Sequence, residues 1–245
     1  YGQSADMDPL LDICNAYGVP ILEDAAESLG ATYKGKASGT MGVMGCYSFN
    51  GNKIITTSGG GMLISDDAEL MARARYLSSQ ARMPLPYYEH TEIGYNYRMS
   101  NILAGVGRGQ LRVLADRVES RRNVNEAYRA AFKDIPEIIW MPEPKWSFSN
   151  RWLSCLTVID PTGRKTAAGL IKWLDDHMIE ARNIWMPMHL QPVFKDVKAF
   201  SHAGGNAMTS TEIFETGLCL PSGSNMSDDM IDAVAAQTVA YFEQA

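Results

Sequence analysis

Three side chains in the first sixty residues have the types and order that carbonyl chemistry asks for. Asp24 closes the short apolar run V-P-I-L-E-D (19–24). Ser48 lies in G-C-Y-S-F-N (45–50). Lys53 follows in a polar turn, ahead of I-I-T-T and Gly59-Gly60-Gly61. A lysine whose surroundings lower its pKa can form a Schiff base with an aldehyde. A carboxylate at a strand end can sit beside a heteroaromatic nitrogen and keep it protonated, and a serine hydroxyl can hold a phosphate oxygen. These are the needs of pyridoxal phosphate (PLP): an electron sink, an anchor that also moves protons, and a phosphate clamp. Each residue also has an ordinary reading. An aspartate at a strand end often caps a helix, a lysine near glycines usually sits in a solvated turn, and tight turns use glycine routinely. Spacing by itself yields an α/β domain with a candidate cofactor site.

The elements that must position these residues read as follows. Asp8-Pro9 looks like an N-cap with proline at the first helical position, and Leu10, Ile13, Cys14 and Tyr17 mark one helical face that Gly18 ends. V-P-I-L-E-D has the unbroken apolar character of a buried parallel strand, and 45–50 and 60–65 read as further short strands. Asp66 with Glu69 predicts a capped helix start. Strands alternating with helices imply an α/β fold with a mostly parallel sheet, where ligands sit at the carboxyl ends of strands. An aromatic-rich loop spans 84–97, and a long helical region runs from about Ser100 to Phe132. Residues 142–149 read as a linker or exposed loop, 152–160 as a strand, 166–179 as an amphipathic helix, and a last helix runs from Ser227 to Phe242. The expected division is 1–120, the rear part of a large domain, and 121–245, a smaller α+β domain.

Composition narrows the function. The chain has 245 residues, 46% hydrophobic, with net charge −6. No basic tract marks a nucleic-acid surface. No apolar run reaches the roughly 18 residues that a membrane span needs. The four cysteines (Cys14, Cys46, Cys155, Cys219) are widely spaced and read as buried small apolar side chains in a reducing, cytoplasmic protein. The histidines (His90, His177, His189, His202) show no zinc-ligand spacing, so no metal is expected. The chain begins Y-G-Q-S-A-D, without methionine, and is expected to lack an N-terminal part.

Ordered motifs carry a resemblance. E-D-A-A-E-S-L-G-A-T-Y-K-G-K-A-S-G-T-M-G, then S-F-N-G-N-K-I-I-T-T-S-G-G-G-M-L, then G-Y-N-Y-R-M-S-N-I resemble the DegT/DnrJ/EryC1/StrS sugar aminotransferases, PLP enzymes of fold type I. Y-G-Q at the start resembles the end of the family's H-x-Y-G-Q/N segment, and the likeness runs to C-L-P-S-G-S-N-M-S. N-R-W-L-S (150–154) and M-H-L-Q-P-V-F (188–194) look like the bacillosamine-type 4-aminotransferases, which act on UDP-2-acetamido-4-keto-6-deoxyglucose with glutamate as amino donor.

The resemblance implies roles for residues. Lys53 would carry the cofactor as a Schiff base, Asp24 would pair with the pyridine nitrogen, and Ser48 would hold the phosphate. Glu27 stands where relatives carry Glu, Gln or His near the cofactor ring. Asn96, in G-Y-N-Y-R, resembles the residue that reaches the phosphate in the neighbouring subunit, implying a homodimer with shared active sites. Arg151, Trp152, Arg182, Trp185 and His189 are candidates for the nucleotide-sugar pocket, with core packing or a structural role as the plainer readings of Trp152, Trp185 and His189. One family branch has histidine in place of the lysine and dehydrates, so Lys53 favours transamination. Two other readings stand beside this one: a GDP- or dTDP-sugar 3- or 4-aminotransferase, and a truncated, catalytically silent module that dimerises or binds a nucleotide sugar. The segment expected to precede Tyr1 would supply a glycine-threonine turn on the phosphate and an aromatic ring on the cofactor. Without it, an exposed sheet edge is expected.

Overall fold

Short apolar runs bounded by glycine or acid become short strands here, and the longer periodic stretches become helices. The computed structural model describes residues 1–201 and 208–244, so His202 lies outside the described residues. In chain order the elements are α1 (Met7–Ala16), β1 (Leu22–Asp24), β2 (Thr32–Tyr33), β3 (Lys36–Ala37), β4 (Met44–Ser48), β5 (Gly61–Ile64), α2 (Ala68–Ser78), α3 (Asn101–Leu111), α4 (Leu114–Ala131), β6 (Ile138–Trp140), β7 (Ser147–Phe148), β8 (Ser154–Val158), α5 (Ala167–Asp176), β9 (Arg182–Asn183), α6 (Thr209–Thr216), β10 (Gly217–Leu220) and α7 (Asp228–Glu243). They form two compact units: Tyr1–Glu119 with Glu143–Trp152, and Ser120–Pro142 with Leu153–Ala245.

In the first unit β1, β4 and β5 make one sheet. β1 and β4 are parallel, with Asp24 beside Cys46, and β5 runs antiparallel, with Gly61 beside Ser48. The carboxyl ends of β1 and β4 therefore point the same way, which brings Asp24 and Ser48 to one end of the sheet. Two of the three successive glycines are explained by this sheet. Gly60 has φ +98°, and a Cβ on Gly61 would lie 2.5 Å from the Tyr47 carbonyl. A second small sheet, β3-β2-β7, pairs Thr32 with Phe148. Phe49, Ile54, Ile55 and Val118 form the buried cluster of this unit, with Leu29, Tyr47, Met99 and Leu114 packed on it. Ile54 and Ile55 anchor the turn carrying Lys53, and burying each side chain is worth roughly 2 kcal/mol.

Several expectations are corrected. Residues 142–149 are not an exposed loop: β7 pairs with β2, and Ser149 and Asn150 are fully buried. The α2 cap is Asp67, whose carboxylate accepts from the Glu69 and Leu70 amides, one residue later than expected. The helical region from Ser100 breaks at Arg112–Val113, where i→i−3 bonds close α3 before α4 begins. The apolar face of α1 is not buried: Leu10, Ile13 and Tyr17 are 43%, 59% and 81% exposed, and Met7 is its one buried residue.

The second unit is an antiparallel sheet in the order β6-β8-β10-β9. Its core joins Tyr128 and Phe132 of α4's side, Leu156 and Val158 of β8, Leu170 and Leu174 of α5, Leu218 and Leu220 of β10, and Val234 and Tyr241 of α7. Thr166 caps α5 and Ser227 caps α7 through their hydroxyls. Among the described residues no helix is long and apolar enough to cross a membrane.

Candidate active site

The turn bearing Lys53 is built from the backbone outward. The Lys53 amide donates to the Asn50 carbonyl at 3.1 Å, and the Thr57 amide donates to Phe49 at 2.9 Å, closing the loop. The lysine ammonium donates to the Glu27 carboxylate, and the two side chains are only 11% and 18% exposed. On another side the amine lies 4.8 Å from the centroid of the Trp152 ring. Trp152 is 2% exposed, and its indole N–H donates to the Asn52 carbonyl at 2.7 Å. One residue therefore faces the amine and ties down the turn that carries it.

Asn150, the first residue of N-R-W-L-S but not among the expected site residues, connects this arrangement. Its side-chain amide donates to the Glu27 and Leu29 carbonyls at 2.8 and 2.9 Å, and its oxygen accepts from the Trp152 amide at 2.8 Å. Both neighbours of the lysine are held by one buried amide. Glu23 is a second unforeseen residue. Buried beneath the sheet end, it accepts from the Gly39, Met41 and Gly42 amides at 2.7, 2.5 and 2.5 Å, and so shapes the S-G-T-M-G loop.

Asp24 is exposed at the end of β1. Its Oδ1 accepts from the Ala26 amide at 3.1 Å and lies 3.8 Å from the Cys46 sulfur. Burial, and then the Asp24 charge, push the Cys46 thiol above its ordinary pKa. Ser48 Oγ accepts from the Asn50 amide at 3.3 Å, leaving its hydroxyl proton to donate elsewhere. Asn96 bridges to Ser79 on a loop fastened by Gln80–Tyr95 and Tyr97–Ser78 backbone bonds. No hydrogen bond joins it to Asp24, Ser48 or Lys53 among the described residues.

Of the residues expected in the sugar pocket, Arg151 and Trp152 lie in the first unit. Arg151 is 3% exposed, has φ +50°, and pairs with Glu143 at 2.9 Å. Both side chains are committed to the interior of the first unit. The other candidates lie in the second unit. Arg182 is exposed and pairs with Glu180. Trp185 is 56% exposed. His189 Nε2 is 2.9 Å from the Thr211 hydroxyl, and it lines a cavity of about 660 Å³ with Pro187, Met188, Phe194, Phe200 and Met208.

The chemistry of this donor set fits PLP. A mostly buried primary amine stands beside a carboxylate and an indole face. An exposed carboxylate closes the neighbouring parallel strand, and an uncommitted hydroxyl proton lies at the same sheet end. The fold and these side chains define the architecture of the fold-type I PLP-dependent aminotransferases. Comparison narrows the class. The model of the DegT/DnrJ/EryC1/StrS aminotransferase family matches residues 1–239, and the chain belongs to this family. EpsN of Bacillus subtilis strain 168, described as a pyridoxal phosphate-dependent aminotransferase, is 51% identical over 94% of this chain and 58% of its own length. GDP-perosamine synthase of Caulobacter vibrioides is 33% identical over 96% of this chain and 62% of its own. The solved structure of the aminotransferase TlmJ from Streptoalloteichus hindustanus superposes with a TM-score of 0.87 at 27% identity, covering 98% of this chain and 63% of that one. The chain thus spans about six tenths of the length of the relatives it matches.

Proposed function

We propose that this chain carries the lysine-bearing part of a PLP-dependent aminotransferase. The enzyme would move the amino group of glutamate to a nucleotide-linked 4-keto-6-deoxy sugar, UDP-2-acetamido-4-keto-6-deoxyglucose, giving the 4-amino sugar. The observation that carries this reading is the setting of Lys53: a shielded amine held against Glu27 and Trp152, beside the strand end that presents Asp24 and Ser48.

When bound, the cofactor supplies an electron sink for negative charge at the donor's α-carbon. The chain's own residues would do the rest. Lys53 Nζ, once it gives up its ammonium proton, takes the α-proton as general base and returns it as general acid. Glu27 Oε1 accepts from that ammonium and holds the nitrogen in place. Asp24 would hold a proton on the ring nitrogen, and Ser48 would donate to the phosphate. Asn96, on its own loop, is assigned to the phosphate in a neighbouring subunit, which makes a homodimer the working assembly. Arg182, Trp185 and His189 are assigned to the nucleotide sugar, since a guanidinium suits a diphosphate and an aromatic ring suits a base. Trp152 is assigned to holding the lysine turn, and Arg151 to the buried pair with Glu143.

The likeness to a GDP-perosamine synthase favours one other reading, a GDP-linked sugar as acceptor. Initial rates and product analysis with UDP- and GDP-linked 4-keto sugars separate the two. Parallel initial-rate lines for glutamate and sugar support transamination in two half-reactions, and intersecting lines overturn it.

A further inference from the structure

Two of the four cysteines meet. In the sheet of the second unit, Cys155 of β8 stands directly opposite Cys219 of β10, and their sulfurs are 3.6 Å apart. On its other side Cys219 stands opposite Arg182 of the edge strand β9. Residues opposite one another in antiparallel strands project from the same face, so thiol, thiol and guanidinium form a row across three strands. Successive residues alternate faces, so this row lies on the face away from Leu156, Leu218 and Leu220, which fill the core. The thiols are 5% and 6% exposed. Arg182, at the sheet edge, is well exposed and paired with Glu180.

From this row we infer that Cys155 and Cys219 form an oxidisable dithiol, a modification site that closes into a cross-strand disulfide. Geometry is the first reason. The sulfurs must approach by about 1.6 Å to reach the disulfide length of about 2.0 Å, and they already face each other in register. Reactivity is the second. The thiolate is the nucleophilic form. The hydrogen bond shared with Cys155, ahead of nearby positive charge that includes Arg182, draws Cys219 below the usual thiol pKa although burial opposes this. Cys46 is more exposed but is pushed the other way by burial and by Asp24.

With hydrogen peroxide as oxidant, the Cys219 thiolate attacks one peroxide oxygen. The O–O bond breaks, leaving a sulfenic acid, and the departing hydroxide takes a proton to become water. The Cys155 sulfur then attacks the Cys219 sulfur. The S–S bond forms, and the second hydroxide leaves as water with the Cys155 proton. Two thiols and one peroxide give one disulfide and two waters.

The test uses the full chain, reduced, exposed to hydrogen peroxide, alkylated with N-ethylmaleimide and mapped by mass. The expected result is a loss of two hydrogens confined to a linked peptide pair holding Cys155 and Cys219. Cys14 and Cys46 should be alkylated, and dithiothreitol should restore all four thiols. C155S should leave a sulfenic acid on Cys219 that dimedone labels. R182Q should slow linkage measurably, as loss of a neighbouring cation lowers the thiolate fraction. Oxidation that consumes Cys14 or Cys46 while Cys155 and Cys219 remain alkylated overturns the proposal. Linkage at an unchanged rate in R182Q removes Arg182 from the site.

Discussion

Lys53 is defined by what surrounds its nitrogen. A charge as shielded as this one needs its partner, and removing one member of a buried ion pair typically costs about 3–5 kcal/mol. Lys53→Ala should abolish turnover, because anchoring and proton transfer fall on one nitrogen. Absence of product even at high enzyme concentration checks this, and residual turnover near the parent rate would refute it. Trp152 gives a finer test. Trp152→Phe keeps a ring face toward the amine but deletes the donor to the Asn52 carbonyl. It should cost about 1 kcal/mol in denaturant unfolding, whereas Trp152→Ala should cost about 3–5 kcal/mol. Equal losses in both variants would mean that the ring does not pack as described. Asp24→Asn should leave the unfolding midpoint nearly unchanged, since the side chain is exposed, and sharply reduce turnover.

At the scale of elements, buried carboxylates and short strands position the site. Glu23 accepts three backbone amides with its two oxygens. Glu23→Gln would turn an NH₂ group toward some of those donors and should destabilise by about 1–3 kcal/mol, read from the shift in urea midpoint. The Asp160 turn before α5 offers a pH test. Bonds from the Lys165 and Thr162 amides, the Thr162 hydroxyl and the Arg164 amide hold its carboxyl down at about 2. A depressed carboxyl contributes stability that is fully present above its unfolded pKa of about 3.9. That contribution is lost as the pH falls through about 2. Asp160→Asn should therefore lower stability at neutral pH and flatten this acid limb, as thermal melts between pH 2 and 5 would show. These elements also show what the sequence could convey. Helices such as 68–78 and 228–243 are legible because an acidic or hydroxyl cap opens an unbroken run without glycine or proline. Strands of two to four residues, such as β6, β9 and β10, carry too few residues to alternate. Asp24, Ser48 and Lys53 could be singled out because motif order preserves them. Asn150 and Glu23 could not, because their partners are backbone groups far along the chain. An aromatic residue next to an arginine in sequence suits a ligand and a core equally, so the type of Trp152 does not show that it is buried.

At the scale of the whole molecule, an acidic chain is proposed to bind an anionic cofactor and a nucleotide sugar, so it must gather its cations locally. The assignment of Asn96 to a neighbour predicts a dimer that forms independently of Lys53 chemistry. Sedimentation should show the same assembly for the parent protein and for Lys53→Ala, and a monomeric parent would refute the shared site. The central claim is that Lys53 is the cofactor's covalent anchor. It is tested most directly by loading the protein with PLP, reducing with borohydride and mapping the peptides by mass. A pyridoxyl group on Lys53 is the predicted result. A protein that has taken up PLP yet carries no such group on Lys53 would contradict the account.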